Sequence, residues 1–102
     1  MNLIMKNHNN YYVYMMASMN NKALYTGVTN NVANRSADHK NGLGSIFTSK
    51  YHCCKLVYYK HFTQIVDAIA REKQLKRWCR EKKESLINIE NPKWEDILEE
   101  RG

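Results

Sequence analysis

The first patterned region of the chain places aromatic and aliphatic residues in two short segments. Residues 11–17, "YYVYMMA", and residues 24–28, "LYTGV", each have the length and composition of a β-strand. Asn20-Asn21 lies between them, and asparagine is common in tight turns because it tolerates a positive φ. The pattern therefore predicts a β-hairpin whose turn is centred on Asn20-Asn21 or on Met19-Asn20.

Three tyrosines of this hairpin are expected on one face of the sheet. Side chains alternate between the two faces of a strand, and either turn position gives Tyr14 and Tyr25 the same parity. Tyr12 shares that face. Tyrosine fills a sheet well, so bulk is one explanation of the cluster. The other is that phenolic hydroxyls are gathered there for chemistry.

A helix is expected directly after the hairpin. The segment "VANRSADHK" can be capped by Asn30 or Asn31 and is ended by Gly42. Arg35 and His39 are four residues apart and so lie on one side of this helix. The following "GLGSIFTSKY" is expected to be a loop with a short turn.

The second half of the chain predicts one more strand and a long helix. "KLVYYKHF" supplies the strand, over residues 55–60, and Thr63 can cap the helix, with Asp67 in its first turns. The inward stripe of this helix has a spacing of three and four residues. Its members are Ile65, Ile69, Glu72, Leu75 (or Lys76) and Cys79. A carboxylate in an apolar stripe needs a partner, because burying an unpaired charge is costly.

A short final helix is expected in "NPKWEDILEE". Asn91 would cap it, Pro92 would take its first position, and Trp94 and Ile97 would pack inward. The element order is then β-β-α-β-α-α, an α+β domain with a three-stranded antiparallel sheet flanked by helices. Residues 11–98 form this domain, residues 1–10 an N-terminal extension and residues 99–102 a C-terminal tail.

Charge and cysteine content narrow the class of protein. The 102 residues carry a formal net charge of +6, which favours a polyanionic partner such as nucleic acid. No apolar run has the length of a signal peptide or a membrane span, so no membrane partner is expected. Cys53, Cys54 and Cys79 lack the spacing of a metal site and are interpreted as reduced thiols of a cytoplasmic protein.

Each polar residue singled out above has a structural explanation when it is taken alone. Tyrosines pack in hairpins, Arg35 and His39 can form a solvated helix face, Glu72 can pair with a neighbouring base, and Asn91 can simply cap a helix. Together they suit phosphodiester hydrolysis, which needs an activated water, a cation against the phosphoryl charge and usually a divalent metal. No P-loop, HExxH motif or Ser/His/Asp set is present.

The ordered motifs resemble those of the GIY-YIG endonuclease superfamily. "YVY" at 12–14 and "YTG" at 25–27 are similar to its paired signatures, and "VTNNVANRSADHKNG" resembles the segment with its arginine and histidine. "FTSKY", "KLVYYKHF", "AIAREKQLKRW" and "NPKWEDI" resemble the small single-domain bacterial branch, related to the N-terminal domain of the excision-repair nuclease subunit. The resemblance spans residues 11–98.

The resemblance implies a role for each matching residue. Tyr14 would be a general base or water-orienting hydroxyl, and Tyr25 would share that work or hydrogen-bond the scissile phosphate. Arg35 would stabilise the phosphoryl charge, and His39 would assist by hydrogen bonding or proton transfer. Glu72 would be the single protein ligand of Mg²⁺ or Mn²⁺.

Other positions are less closely matched to the family pattern. Asn91 is taken as the late catalytic asparagine, with Asn88 as the alternative. Tyr12 replaces the glycine of the first signature and Thr26 the isoleucine of the second. The chain has only its own basic surface to bind DNA: Lys73, Lys76, Arg77, Arg80, Lys82 and Lys83.

Three functions remain open on the sequence. The first is a metal-dependent DNA endonuclease, structure-specific or repair-related. The second is a nucleic-acid-binding module with little catalysis, which the basic helix and aromatic residues would serve equally well. The third is an interaction domain on a nuclease scaffold, working beside a larger repair or recombination complex.

Overall fold

The computed structural model of the chain describes residues 10–98 and contains a three-stranded sheet with helices on both faces. The expected N-terminal extension, apart from its last residue, and the C-terminal tail lie outside the described residues, so the predicted domain boundaries stay predictions. Three strands and four helices are described: β1 (Tyr11–Ser18), β2 (Leu24–Thr29), α1 (Val32–Lys40), α2 (Ile46–Tyr51), β3 (Cys53–Phe62), α3 (Ile65–Arg77) and α4 (Arg80–Glu90).

The sheet has the order β2-β1-β3, and both pairings are antiparallel. β1 is therefore the central strand, and β2 is an edge strand. Tyr14 on β1 is paired with Gly27 on β2 and with Tyr59 on β3. Asn21 ends the hairpin turn with φ 61°, as expected of asparagine. The predicted α+β class and three-stranded sheet are confirmed.

The alternating side chains of β1 divide the core in two. Val13, Met15 and Ala17 face α3 and α4, where the core cluster includes Ala68, Leu75 and Ile87. Tyr14 and Met16 face the other way, in a smaller cluster with Val32 of α1 packed against it. The central strand is buried from Val13 to Ser18, so the positions of its side chains are fixed by packing on both sides.

The expected loop "GLGSIFTSKY" contains the helix α2, and its prediction as a loop was wrong. Ser45 caps this helix: its side chain accepts from the Thr48 amide at 3.1 Å, and the Ser45 amide donates to Thr48 Oγ1 at 3.1 Å. This reciprocal pair is a capping box, with threonine in the place of the usual glutamate or glutamine. Two orphan amides are satisfied, which stabilises a helix of only one and a half turns.

The expected long helix is two helices. α3 begins after Gln64 rather than Thr63, and it ends at Arg77 because Trp78 takes an extended conformation with ψ 149°. The Trp78 ring packs against the core, with the Arg71 guanidinium 5.0 Å from its centroid. The run of basic residues in "REKQLKRWCREKK" contains no helix-stop signal, so the sequence gives no indication of this break.

The expected final helix is absent from the described residues. Asn91 is the C-cap of α4 rather than an N-cap, and residues 91–98 form turns. Pro92 disfavours a helical conformation in the residue before it, so α4 stops at Glu90. Trp94 packs into the core as predicted, at φ 54°, whereas Ile97, which was also expected to pack inward, is 42% exposed.

No helix in the described part of the chain is long and apolar enough to cross a membrane.

Candidate active site

Tyr14 and Tyr25 lie side by side on the face of the sheet that α1 covers. Their ring centroids are 6.2 Å apart. Tyr14 is 1% exposed, whereas Tyr25 is only half-buried on the edge strand. The expected gathering of phenols is present, with one hydroxyl deep in the fold and one nearer to solvent.

Gly27 leaves the space that the Tyr14 ring occupies. It is the partner of Tyr14 in the β1–β2 register. A Cβ atom at this position would lie 2.6 Å from Tyr14 Oη and 2.7 Å from Cζ, closer than non-bonded atoms approach. The glycine of "YTG" is therefore required by the ring that lies across it.

His39 joins Tyr14 to helix α2. Its Nε2 lies 2.9 Å from Tyr14 Oη, and its Nδ1 lies 2.9 Å from Thr48 Oγ1. The histidine is 2% exposed, and a Cβ atom at Gly44 would lie 1.9 Å from Nδ1. The imidazole is thus held by a hydrogen bond at each nitrogen and by the backbone of Gly44 beside its ring.

The hydrogen bonds at Thr48 favour one tautomer of His39. Thr48 Oγ1 accepts from the Ser45 amide, and it can donate to the Ser45 carbonyl at 3.3 Å. With that donation made, Thr48 accepts from Nδ1–H of His39. Nε2 then directs its lone pair at Tyr14, so the phenol donates to the imidazole.

The burial of both groups sets their protonation states. Burial raises the pKa of Tyr14 to about 12, against a lowering by the Arg35 guanidinium and a further rise from Tyr25. Burial lowers the pKa of His39 from its ordinary 6.5, and Arg35 lowers it too, while Asp38 raises it. At neutral pH the phenol is protonated and the imidazole is neutral, and a neutral imidazole can accept the phenolic proton.

Arg35 places a positive charge beside this buried pair. Its Nη2 donates to the Gly44 carbonyl at 2.9 Å, and its Nη1 lies 3.7 Å from the Asp38 carboxylate. The side chain is 36% exposed. The guanidinium is therefore anchored at Nη2 and paired at longer range with Asp38 at Nη1, and its exposed part can be reached by an incoming anion. We call Tyr14, Tyr25, Arg35 and His39 the tyrosine cluster.

Glu72 projects inward from α3, between the buried Ala68 and Leu75. Its side chain is 15% exposed, and the partner that the sequence requires is Lys76, whose Nζ lies 2.9 Å from the carboxylate. Lys76 itself is 51% exposed, so it can leave the carboxylate without unpacking the core.

The surroundings of Glu72 fit a largely hydrated divalent ion. No group of three or more His, Cys, Asp or Glu side chains within residues 10–98 could form a metal cage. Mg²⁺ does not need one, since it is commonly held by one or two carboxylates and keeps several of its waters. A single half-buried carboxylate meets this requirement once Lys76 has moved away.

A shallow hollow of about 240 Å³ connects α3 to the tyrosine cluster. Tyr25 and Phe47 line it from one side of the sheet, and Lys76 and Lys83 from the other. Because Lys76 also binds the Glu72 carboxylate, the hollow links the Glu72–Lys76 ion pair to Tyr25 around the edge of β2, although α3 packs on the opposite face of the sheet.

The structure does not bring Asn91 to the tyrosine cluster. Its amide nitrogen donates to the Val57 carbonyl at 3.1 Å and to the Glu95 carbonyl at 2.9 Å, and its oxygen accepts from the Glu95 amide. Asn88 accepts from the Trp94 indole at 2.7 Å. Both side chains stabilise the turns after α4, and a catalytic role for either stays a prediction.

The predicted DNA-binding residues divide into two groups. Arg80 is structural in part, since its guanidinium donates to the carbonyls of Asn21 and Lys22 in the hairpin turn and pairs with Glu84. Lys82 lies over the Trp78 ring at 5.0 Å. Four others lie on α3 or early α4 with no such anchor to the hairpin: Lys73, Lys76, Arg77 and Lys83.

The two departures from the family signatures are accommodated without touching the tyrosine cluster. Tyr12 packs on the rings of Tyr59 and His61, at centroid distances of 5.9 and 5.3 Å. Thr26 faces the opposite core beside Met15, with its Oγ1 buried and unpaired among the described residues.

Sequence reasoning missed the residues that support the site. Gly27 and Gly44 make room for the rings of Tyr14 and His39, and Thr48 holds the second nitrogen of His39. The serine and threonine of "SIFT", three residues apart, are the signal of a helix start that would have placed Thr48 on a helix.

A family model of the GIY-YIG catalytic domain matches residues 10–85, which include the tyrosine cluster and Glu72. This match covers most of the chain and carries both signatures in order. The chain belongs to the GIY-YIG family, a family of nucleases, and the predicted resemblance is confirmed.

Within that family the chain is similar to small UPF0213 proteins. One from Clostridium perfringens is 36% identical over 89 residues, covering 87% of this chain and 95% of the relative. One from Natronomonas pharaonis is 38% identical over 77 residues, covering 76% and 89%. The solution NMR structure of a UPF0213 protein from Bacillus halodurans matches with a TM-score of 0.55 at 29% identity, over 87% of this chain and 94% of that one.

Proposed function

We propose that the protein is a divalent-metal-dependent endonuclease that hydrolyses phosphodiester bonds in DNA. The observation that carries the proposal is the Tyr14–His39–Thr48 hydrogen-bond chain, because it joins a phenol to a neutral imidazole base beside an accessible arginine. A buried base hydrogen-bonded at both nitrogens, with a partly exposed arginine on the same helix, supports a catalytic arrangement.

The chemistry divides among the chain's own residues. Arg35 binds the non-bridging oxygens of the phosphate and stabilises the charge that develops on them. Tyr14 receives a proton from the attacking water as its own phenolic proton passes to Nε2 of His39. The water oxygen then forms its bond to phosphorus, the opposite P–O ester bond breaks, and the leaving oxygen takes a proton from solvent.

Tyr25 and Glu72 complete the site from the edge of the sheet. The Tyr25 hydroxyl, nearer to solvent than that of Tyr14, hydrogen-bonds the scissile phosphate. Glu72 would hold Mg²⁺ or Mn²⁺, which as a Lewis acid neutralises charge on the phosphoryl group. Lys76 of α3 and Lys83 of α4 line the hollow beside Tyr25, and basic residues of these two helices would follow the DNA backbone.

The proposed cleavage is structure-specific or repair-related. The free thiols of Cys53, Cys54 and Cys79 support action in the reducing cytoplasm. A larger repair or recombination complex would then present the DNA.

A binding module with little catalysis is the second candidate. The Glu72–Lys76 ion pair favours it, because the ammonium occupies the carboxylate that a metal needs. Such a module would bind DNA in a salt-sensitive way whether or not Glu72 were present.

Cleavage of labelled DNA separates these two functions. Purified protein is incubated with duplex, flap and single-stranded substrates, with Mg²⁺, with Mn²⁺ or with EDTA. Glu72→Ala is tested beside Glu81→Ala, a matched control on the exposed surface of α4. We expect metal-dependent cutting that Glu72→Ala loses by about 100-fold or more and Glu81→Ala retains. Binding without cutting in all three proteins would leave the binding module as the function.

A further inference from the structure

The surface of α2 beside the tyrosine cluster exposes large side chains that the core does not use. Ile46 is 88% exposed, Tyr51 45% and Phe47 41%. Phe47 and Tyr51 are four residues apart on one side of the helix, with ring centroids separated by 4.8 Å. Exposed, mutually packed rings on a short helix indicate a surface made for a flat ligand.

These rings continue the tyrosine cluster outward. The Phe47 centroid lies 6.2 Å from that of Tyr25, and the Tyr25 centroid lies 5.2 Å from the imidazole of His39. A path of rings therefore runs from the buried base to the exposed end of α2. A ligand on Phe47 and Tyr51 would be adjacent to whatever Tyr25 binds.

The charge around this surface matches a phosphate-bearing ligand. No Asp or Glu lies between Asp38 and Asp67 in the sequence, a stretch that includes all of α2 and β3. The Lys50 Nζ lies 5.4 Å from the Tyr51 centroid, and Lys83 lines the hollow that Phe47 and Tyr25 share. An anion can approach these rings without meeting a carboxylate of this segment.

We infer that Phe47 and Tyr51 form a stacking surface for the base of an unpaired nucleotide next to the phosphate that is cut, with Lys50 and Lys83 facing its backbone. Bases in a duplex are stacked on each other and hide their faces, whereas an unpaired base can stack on aromatic side chains. The inference rests on the proposed function for the position of the cut, and it names the substrate class: DNA with a single-stranded segment at the site.

Equilibrium binding in EDTA tests the inference without cleavage. Fluorescence anisotropy gives the Kd for a labelled single-stranded oligonucleotide and for a blunt duplex of the same sequence, at fixed ionic strength. Phe47→Leu combined with Tyr51→Leu removes both rings and keeps apolar bulk. Ile46→Ala is the matched control, since Ile46 is apolar and exposed on the same helix but outside the ring path.

The double variant should lose about tenfold or more in affinity for the single strand, and change by less than about twofold on the duplex. Ile46→Ala should stay within about twofold of the parent on both. An unchanged single-strand Kd in the double variant overturns the inference. An equal loss on the duplex, or an equal loss in Ile46→Ala, also overturns it, because either result indicates a general rather than a base-stacking surface.

Self-association is measured separately by analytical ultracentrifugation, at the protein concentration used for the binding titrations. A dimer that the double variant abolishes would assign the rings to a second copy of the chain instead. The two proposals also fail separately. If the ring variants weaken single-strand binding but the parent does not cut DNA in Mg²⁺ or Mn²⁺, only the nuclease proposal fails. If the parent cuts DNA but the ring variants bind the single strand as the parent does, only the stacking surface fails.

Discussion

The Tyr14 side chain is almost fully buried, and its hydroxyl is hydrogen-bonded to His39. The ring can take this position only because residue 27 is a glycine and has no Cβ atom. The ring crosses the backbone of Gly27 with no room for a Cβ atom. Adjacent strands fix both residues, so the ring cannot move aside without unpacking Met16 and Leu56 in the same cluster. The signature glycine and the signature tyrosine are therefore one structural unit.

Gly27→Ala should displace the Tyr14 hydroxyl from His39. We expect a loss of about 1–3 kcal/mol in the free energy of unfolding, because overpacking forces side chains and backbone to shift. Urea unfolding measures it. Gly42→Ala is the control: its φ of +76° makes alanine strained there, but the nearest atom to a new Cβ lies 3.8 Å away. It should lose stability while retaining the DNA cleavage that Gly27→Ala loses. Equal cleavage by the two variants would contradict the role of Gly27.

Lys76 should weaken metal binding at Glu72, since its ammonium must leave the carboxylate before a cation can approach. Lys76→Met keeps most of the length of the unbranched side chain and removes the charge. We expect it to bind Mn²⁺ about tenfold more tightly than the parent, measured by calorimetry or electron paramagnetic resonance without DNA. Lys73→Met is the control on the exposed side of α3. An equal gain in both variants would indicate only the change in net charge.

At the scale of elements, helix α2 holds the imidazole of His39, to which we assign a catalytic role, in place. Its capping box holds Thr48, and Thr48 holds Nδ1 of His39. Because α2 has only six residues, it depends on this cap more than a long helix would. The helix that the sequence did not predict thus supplies the hydroxyl that is hydrogen-bonded to Nδ1 of His39.

Ser45→Ala should weaken the hold of α2 on His39. Loss of an N-cap side chain costs about 1 kcal/mol of stability, and the freed Thr48 would hold His39 less firmly. We expect that loss in thermal unfolding, and a shift of the His39 imidazole signals in NMR spectra. Ser49→Ala, an exposed position on the same helix, should leave both unchanged. A Ser45→Ala spectrum with the His39 signals in place would show that α2 does not position the imidazole.

The elements that the sequence predicted correctly are those with local signals. The hairpin, α1 and the third strand follow from alternation, turn asparagines and the Asn31 cap. The break at Trp78 was missed because it depends on the tertiary packing of an indole, whereas the residue pattern of the sequence continues through it without a helix-stop signal. Gly44 was missed for the same reason: its partner, His39, comes close only through the fold.

The site shows the same division between local and tertiary signals. Strand parity paired Tyr14 with Tyr25 and helical spacing paired Arg35 with His39, and the resemblance to the GIY-YIG family joined the two pairs into one site. Glu72 was found from a predicted inward stripe that is only partly right, because Leu75 is buried whereas Ile65, Ile69 and Cys79 are exposed. The link from Glu72 through Lys76 to the hollow beside Tyr25 came only from the structure. Asn91 was predicted as the late catalytic asparagine only from its position in the sequence, and its side-chain amide stabilises the turns after α4.

At the scale of the whole molecule, buried titratable groups make stability depend on pH. The folded pKa of His39 is lowered, so the unfolded state binds more protons near and below the ordinary pKa of 6.5. The neutral imidazole therefore contributes to the free energy of unfolding above that pH, and this contribution is lost as the pH falls. Tyr14 and Cys53, whose folded pKa values are raised to about 12 and about 11, lose their contributions as the pH rises through the alkaline range.

One variant tests whether His39 causes the loss of stability at acidic pH. Between about pH 7 and pH 5 the parent should lose free energy of unfolding, and His39→Gln should lose less, because glutamine does not titrate. His52→Gln is the control, since His52 is exposed at the end of α2. Denaturant unfolding across this range measures the slopes. Equal slopes in the parent and His39→Gln would show that the imidazole is not held neutral by the fold.

The central claim is that the buried Tyr14 hydroxyl takes part in phosphodiester hydrolysis, and single-turnover cleavage by Tyr14→Phe tests it most directly. Phenylalanine keeps the ring that packs over Gly27 and removes only the oxygen bonded to His39. With excess enzyme, Mg²⁺ or Mn²⁺, and the DNA that the parent cuts best, the rate should fall by about 100-fold or more while the DNA Kd is retained. A rate within about threefold of the parent would contradict the account, and Tyr14 would be a structural residue of the sheet.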